Sequence, residues 1–168
     1  MSDPSEQHWA AVKRILRYLA GTINFGLKYS TGPPFALHAY CDADWASDPD
    51  DRRSTSSAAV FFGSNLVSWW SKKQSVVAKS STEAEYRSLA LATAEVTWIK
   101  SLLSELHIPH HSSVIFCDNM STVALAHNPV MHSRTKHMEL DLSLSEKRLW
   151  ISNFKSSMFL PLIRKLTF

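Results

Sequence analysis

The sequence predicts an α/β fold in which a mixed β-sheet is flanked by helices. Two apolar segments, residues 35–42 and 113–118, each end in an aspartate and are typical of buried strands. Two further β-rich runs, residues 57–62 and 65–71, meet at a Gly-Ser-Asn sequence that is typical of a hairpin. A long helical pattern over residues 82–106 separates the hairpin from the last of these strands.

An amphipathic helix is expected near the N-terminus. Ser5 and Glu6 follow a proline, as at many helix starts, and apolar residues then recur at helical spacing until Gly21. A Gly-Pro-Pro sequence at residues 32–34 breaks the chain after this helix. We therefore expect three parts: residues 1–32, a main domain over residues 33–150, and an atypical tail over residues 151–168 without a clear period.

The long helix is expected to bury one face that includes a carboxylate. Ser81 or Thr82 can cap the helix, and apolar residues then follow at steps of three or four. Glu85 lies on the same face as these apolar residues, which are Leu89, Ala92, Val96, Ile99 and Leu103. Because a buried carboxylate is costly unless a cation compensates its charge, Glu85 indicates a functional site.

Three carboxylates are therefore candidates for one cluster. Asp42 and Asp118 end two of the predicted strands, and Glu85 points from the helix toward the sheet. Three acids at one place repel one another, so the cluster is best explained as a ligand set for hard divalent cations such as Mg²⁺. Two such ions can support hydrolysis of a phosphodiester bond. Each acid taken alone is more simply explained as a strand end or a helix cap.

Composition sets broad limits on the class of protein. The net charge is +3 at pH 7, which is compatible with binding to nucleic acid without requiring it. The two cysteines, Cys41 and Cys117, form no disulfide framework or CxxC motif and are interpreted as small buried residues. No apolar run is long enough for a membrane span or a signal peptide. We therefore expect a soluble, monomeric, cytoplasmic or nuclear protein that is not secreted and has no membrane partner.

Several segments together resemble a known family. Between about residues 35 and 150 the chain contains, in order, AYCDADWASD, RRSTS, SWWSKKQSVVAKSSTEAEYRSLA, VIFCDN and HSRTKHMELD. These segments resemble the ribonuclease H domain of copia-type, long-terminal-repeat retrotransposon Pol polyproteins. The preceding HWAAVKRILRYLAGTINFGLKY resembles the end of the reverse transcriptase region of such polyproteins, so residues 1–32 are interpreted as a remnant of that region.

The resemblance implies a fold, an activity and a ligand set. The fold is a ribonuclease H-like mixed sheet, and the activity is metal-dependent endonucleolytic cleavage of RNA in RNA/DNA hybrids. Asp42, Glu85 and Asp118 are then the catalytic carboxylates that hold two Mg²⁺ or Mn²⁺ ions. The neighbouring acids Asp44 and Glu83 are expected to have local roles in a loop turn and in the first helical turn. The implied partners are an RNA/DNA hybrid and the reverse transcriptase region of the parent polyprotein.

Basic and aromatic residues are candidates for contact with the nucleic acid. Lys72, Lys73 and Gln74 follow two tryptophans, and such a stretch can track a phosphate backbone and offer a stacking surface. The alternative is a solvated hairpin edge with core tryptophans, which is the better explanation for at least one of the two tryptophans. A second set lies in a segment that resembles the SRTKH loop of the family, with Arg134 and Lys136 as binding residues. The resemblance implies that His137 is a catalytic residue that approaches the scissile phosphate or assists product departure, whereas a lone loop histidine is more often merely exposed.

The C-terminal part departs from the family pattern. Family members carry a fourth carboxylate in a stretch resembling HVPTxxQxADIxTK, which this chain lacks. We therefore expect an incomplete metal site and a fold without the last strand and helix, and we hypothesise that Met158–Phe168 arise from a frameshift, which the nucleotide sequence would test. The rival hypothesis is a catalytically inactive transposon relic that at most binds nucleic acid.

Overall fold

The computed structural model describes residues 5–33, 35–127 and 149–153. These residues form three helices, α1 to α3, and five strands, β1 to β5. Their order along the chain is α1 (Glu6–Gly21), β1 (Leu37–Asp44), β2 (Thr55–Phe62), β3 (Asn65–Lys73), α2 (Ser81–Glu105), β4 (Ser113–Cys117), α3 (Met120–His127) and β5 (Leu149–Asn153).

The strands form one mixed sheet in the order β3-β2-β1-β4-β5. The three strands β1 to β3 are antiparallel neighbours, whereas β4 runs parallel to both β1 and β5. Gly63 closes the β2–β3 hairpin with φ 61°, a left-handed conformation that favours glycine. A return from β1 to a parallel β4 needs a long connection, which the hairpin and α2 supply. The predicted α/β class with a mixed sheet is confirmed.

Helix α2 packs along the sheet with the face that its sequence predicts. All six residues of that face are buried, and several of them form the main core with β1, β2 and β4. The cap differs from the prediction by one residue, since Ser80 is the N-cap and its hydroxyl accepts a hydrogen bond from the Glu83 amide at 3.1 Å. This packing holds the N-terminal turns of α2 against the end of β1.

Strand β5 corrects one part of the expected fold. The sequence predicted four strands and no last strand, whereas residues 149–153 pair in parallel with all five residues of β4. The sequence predicted that the main domain ends at residue 150 and that an atypical tail follows. Strand β5 extends past residue 150, so residues 151–153 belong to the sheet. The expected absence of a C-terminal helix lies outside the described residues.

Helix α1 stands apart from this core. Ser5 caps it and accepts a hydrogen bond from the His8 amide, as the sequence predicts for this start. None of its residues is buried, including the apolar ones. Ser30 contacts the β2–β3 turn through a hydrogen bond from its amide to Asn65 Oδ1 at 2.8 Å.

Among the described helices, none is both long enough and apolar enough to cross a bilayer.

Candidate functional site

The three predicted carboxylates meet at one edge of the sheet. Asp42 lies near the end of β1, Asp118 directly follows β4, and Glu85 lies near the N-terminus of α2. In the parallel pairing of β1 with β4, Cys41 is opposite Cys117. The aspartate that follows each cysteine is therefore brought to the same edge. Helix α2 crosses beneath this edge and supplies the third carboxylate.

Glu85 is the buried centre of this cluster. Its side chain is 6% exposed, and its Oε1 accepts a hydrogen bond from the Ala43 amide at 3.2 Å. One ligand atom each from Glu85, Cys117 and Asp118 lie within 4.8 Å of one another. Asp42 is not among these three, but its half-buried carboxyl interacts electrostatically with both Glu85 and Asp118. Asp118 is exposed, so the cluster opens to solvent on that side.

The carboxylates of this site disfavour one another's ionised forms. Burial, together with the nearby groups of Cys117, Asp42 and Asp118, raises the pKa of Glu85 to about 9. Burial also raises the pKa of Asp42, with further contributions from Asp118 and Asp44. The pKa of Asp118 is raised by burial as well.

No cation of the protein compensates these charges within the described ranges. The ion pairs there involve other acids, which are Asp48, Asp51 and Glu83. Carboxylate oxygens that converge around a buried glutamate without a cation form a ligand set suited to a divalent metal ion. The residues present therefore fit the type of ion that the sequence predicts.

A buried serine fixes the strand that carries Asp42. The Ser88 hydroxyl is fully buried and lies 2.7 Å from the Asp42 carbonyl oxygen and 3.3 Å from that of Ser57. It therefore joins α2 to two strands one helical turn after Glu85. Sequence reasoning did not single out Ser88, because a serine within a helix gives no distinctive pattern.

The two acids expected to have local roles differ in their surroundings. Glu83 accepts a hydrogen bond from the Lys79 amide at 2.9 Å and pairs with Arg87 at 3.0 Å, so it stabilises the start of α2. Asp44 is exposed at the last position of β1, and its charge raises the pKa of Asp42.

Cys117 is a site residue that the sequence reasoning missed. Its side chain is 1% exposed, and its Sγ lies 4.0 Å from Glu85 Oε2. A hydrogen bond between the side chains of Cys41 and Cys117 lowers the pKa of Cys117. The repeated Cys-Asp pair at residues 41–42 and 117–118 could have indicated it, since parallel strands that end alike place both thiols at one level.

The two lysines of β3 that are predicted to contact nucleic acid differ in their surroundings. Lys72 is exposed, with its Nζ 5.9 Å from the centre of the Trp70 ring, beside an open groove between β3 and α2. Lys73 pairs with Asp48 and with Asp51, the latter at 2.7 Å, and so neutralises the loop before β2.

Gln74, which the sequence predicts as a nucleic-acid contact, has a buried side chain. Its Nε2 donates to Ser56 Oγ at 2.8 Å and to the Ala84 carbonyl oxygen at 3.0 Å, so the amide joins β2 to α2. The remaining candidates, Arg134, Lys136 and His137, lie outside the described residues.

Curated relatives share most of this sequence. The chain is 53% identical over 142 residues to the retrovirus-related Pol polyprotein from transposon RE2 of Arabidopsis thaliana, covering 84% of this chain and 10% of that protein. It is 40% identical over 140 residues to the Pol polyprotein from transposon TNT 1-94 of Nicotiana tabacum, covering 83% and 10%. The chain thus spans about a tenth of the length of these relatives. No family model matches the sequence.

Solved structures share the fold at low sequence identity. The ribonuclease H domain of prototype foamy virus superposes with a TM-score of 0.51 at 17% identity, covering 77% of this chain and 90% of that domain. The foamy viral protease-reverse transcriptase in complex with an RNA/DNA hybrid gives a TM-score of 0.54 at 11% identity, covering 82% and 20%. The fold is that of a ribonuclease H domain, and the homologues of the chain are retrovirus-related Pol polyproteins of copia-type transposons.

Proposed function

We propose that this chain is a metal-dependent endonuclease that cleaves the RNA strand of RNA/DNA hybrids. The observation that carries the proposal is the convergence of Asp42, Glu85 and Asp118 at one sheet edge, with Glu85 94% buried and no described cation beside it. Burial of an uncompensated carboxylate is destabilising, and a bound cation at this edge of the sheet would compensate its charge.

Asp42, Glu85 and Asp118 are the residues that would hold Mg²⁺ or Mn²⁺. Two such ions supply activation of a water molecule and stabilisation of the leaving oxygen in phosphodiester hydrolysis. Their carboxylate oxygens are hard ligands, which suits these ions. The exposed position of Asp118 leaves the site open on the side from which a nucleic acid can approach.

Hydrogen bonds within the protein position the ligand residues of the site. The Ala43 amide orients Glu85 through its hydrogen bond to Oε1, and Ser88 ties the backbone of Asp42 to α2. Glu85 must lose its proton before it can act as a ligand, because its raised pKa keeps it protonated at neutral pH when no cation is bound. Cation binding therefore releases protons and becomes stronger as the pH rises.

The shape of the domain and its relatives support an RNA/DNA hybrid as the substrate. A foamy viral protease-reverse transcriptase, of which a fifth superposes on this chain, has been solved in complex with an RNA/DNA hybrid. The curated relatives are Pol polyproteins of which this chain spans about a tenth. Hybrid recognition would rest on backbone shape and 2′-hydroxyls, with Lys72 close to the phosphates. The reverse transcriptase region of the parent polyprotein would be the partner of the N-terminal segment.

Cleavage of a labelled RNA/DNA hybrid in Mg²⁺ or Mn²⁺ tests the proposal. We expect the wild-type chain to cut the RNA strand and the Asp42→Asn, Glu85→Gln double variant to lose activity about a hundredfold or more, since ligands are removed. Glu105→Gln is the matched control, because it lies on the same helix about 30 Å away. Equal residual activity in the wild type and the double variant would overturn the proposal.

The same experiment addresses the relic hypothesis. A wild-type chain that binds the hybrid in a mobility-shift assay but does not cut it in either cation would show a nucleic-acid binding protein without nuclease activity. That outcome would also overturn the proposed endonuclease.

A further inference from the structure

A thiol belongs to the carboxylate cluster. The Sγ of Cys117, one carboxylate oxygen of Glu85 and one of Asp118 lie within 4.8 Å of one another. Cys117 and Glu85 are both more than nine-tenths buried, whereas Asp118 is exposed and lines the solvent side. An ion entering past Asp118 would therefore meet one sulfur donor and two oxygen donors.

This donor set differs in chemistry from three carboxylates. Mg²⁺ and Mn²⁺ prefer oxygen ligands, whereas Zn²⁺ and related ions bind thiolates strongly. Three protein ligands with one open position is a coordination pattern that Zn²⁺ adopts in proteins. The buried thiol thus gives this edge of the sheet an affinity for soft ions that oxygen ligands alone would not give.

We propose that Cys117, Glu85 and Asp118 form a binding site for a thiophilic divalent cation such as Zn²⁺ or Cd²⁺. On binding, the Cys117 thiol loses its proton to solvent and its sulfur forms a bond to the ion, which releases bound water in exchange. No electron transfer or further reactant is needed. Because Glu85 and Asp118 are shared, the ion excludes the oxygen-bound cation and stops hybrid cleavage; this last consequence rests on the proposed function.

Geometry selects Cys117 over Cys41. The Cys41 thiol lies on the neighbouring strand, and its Sγ donates to the Phe116 carbonyl oxygen at 3.6 Å. Cys41 is not among the three residues whose ligand atoms converge. Since the chain contains only these two cysteines, any bond between a thiolate and a metal ion must come from one of them. The pair therefore supplies its own matched control.

Titration of the reduced, full-length chain with Cd²⁺ tests the site. We expect a sulfur-to-cadmium charge-transfer absorption in the ultraviolet that saturates at one ion per chain in the wild type and in Cys41→Ser. In Cys117→Ser the absorption should be lost, and Cd²⁺ affinity should fall about tenfold or more. An absorption of equal strength in Cys117→Ser, or its loss in Cys41→Ser alone, would overturn the assignment.

A second measurement needs no cysteine variant and so survives a failure of Cys117→Ser to fold. Cadmium-113 nuclear magnetic resonance of the wild-type chain should show a shift typical of mixed sulfur and oxygen ligands, which Glu85→Gln perturbs and Glu105→Gln leaves unchanged. A shift typical of oxygen ligands alone would contradict the proposal. Neither measurement uses a nucleic acid, so a chain without nuclease activity would still bind Cd²⁺ in this way.

Discussion

The backbone amide of Ala43 donates a hydrogen bond to Glu85 Oε1 at 3.2 Å, which joins the end of β1 to the second turn of α2. This contact places a buried carboxylate beside Asp42 without a basic partner among the described residues. Burial and the nearby groups of Cys117, Asp42 and Asp118 raise the pKa of Glu85, whereas the hydrogen bond from Ala43 lowers it. The contact also links the stability of the fold to the ionisation of the site.

The raised pKa of Glu85 makes stability depend on pH when divalent cations are absent. The pKa is about 9 in the folded chain against an ordinary value of 4.5, so the folded state binds more protons between these limits. The free energy of unfolding should then fall as the pH rises through this window, by up to about 1.4 kcal/mol per pH unit. Urea unfolding from pH 5 to pH 9 measures this slope.

Glu85→Gln isolates that contribution. We expect the slope of stability against pH to be flatter in Glu85→Gln than in the wild type and unchanged in Glu105→Gln. Comparison of each variant with the wild type cancels the effects of other groups such as His38. The pKa of His38 is lowered by burial, so its contribution has the opposite sign near pH 6. Parallel slopes in the wild type and Glu85→Gln would show that Glu85 ionises normally in the folded chain.

Ser88 should stabilise the strand that carries Asp42. Its hydroxyl is fully buried and binds the Asp42 carbonyl oxygen at 2.7 Å, so Ser88→Ala leaves buried acceptors without this donor. We expect the free energy of unfolding to fall by about 1–3 kcal/mol. Ser101→Ala is the control, because its hydroxyl also binds a carbonyl oxygen in α2 but is exposed. Equal losses in both variants would argue against a special role for Ser88.

Gln74→Ala should affect the stability of the fold, whereas Lys72→Ala should affect the binding of the hybrid. Gln74→Ala removes a buried amide with two hydrogen bonds, so we expect a loss of about 2 kcal/mol in the free energy of unfolding. Exposed Lys72→Ala should change stability by no more than about 0.5 kcal/mol. Hybrid affinity and its dependence on salt should instead decrease in Lys72→Ala. Unchanged hybrid binding in Lys72→Ala would remove this lysine from the interface.

Periodicity was sufficient to predict the parts of the fold that depend on one element at a time. The buried face of α2 follows from residue spacing alone. The positions of Asp42 near the end of β1 and of Asp118 directly after β4 follow from apolar runs that stop at a carboxylate, although β1 continues to Asp44. Their arrangement at one edge depends on the parallel register of β1 with β4, and the sequence predicted a mixed sheet without that pairing.

The features that sequence reasoning missed depend on contacts between separate helices and strands. Gln74 is polar and follows two lysines, which is typical of an exposed residue. Its packing between β2 and α2 is what shows that its side chain is buried. Strand β5 is five residues long and is recognised by its pairing with β4. In the sequence, Cys117 is indistinguishable from an ordinary core residue. Only the short distances from its sulfur to the carboxylates of Glu85 and Asp118 show that it belongs to the site.

Anomalous X-ray diffraction from crystals of the full chain grown with Mn²⁺ tests the central claim most directly. We expect an anomalous peak within bonding distance of the carboxylates of Asp42, Glu85 and Asp118, and no such peak in Glu85→Gln. Mn²⁺ bound elsewhere, or absent from these carboxylates at a saturating concentration, would contradict a shared metal site.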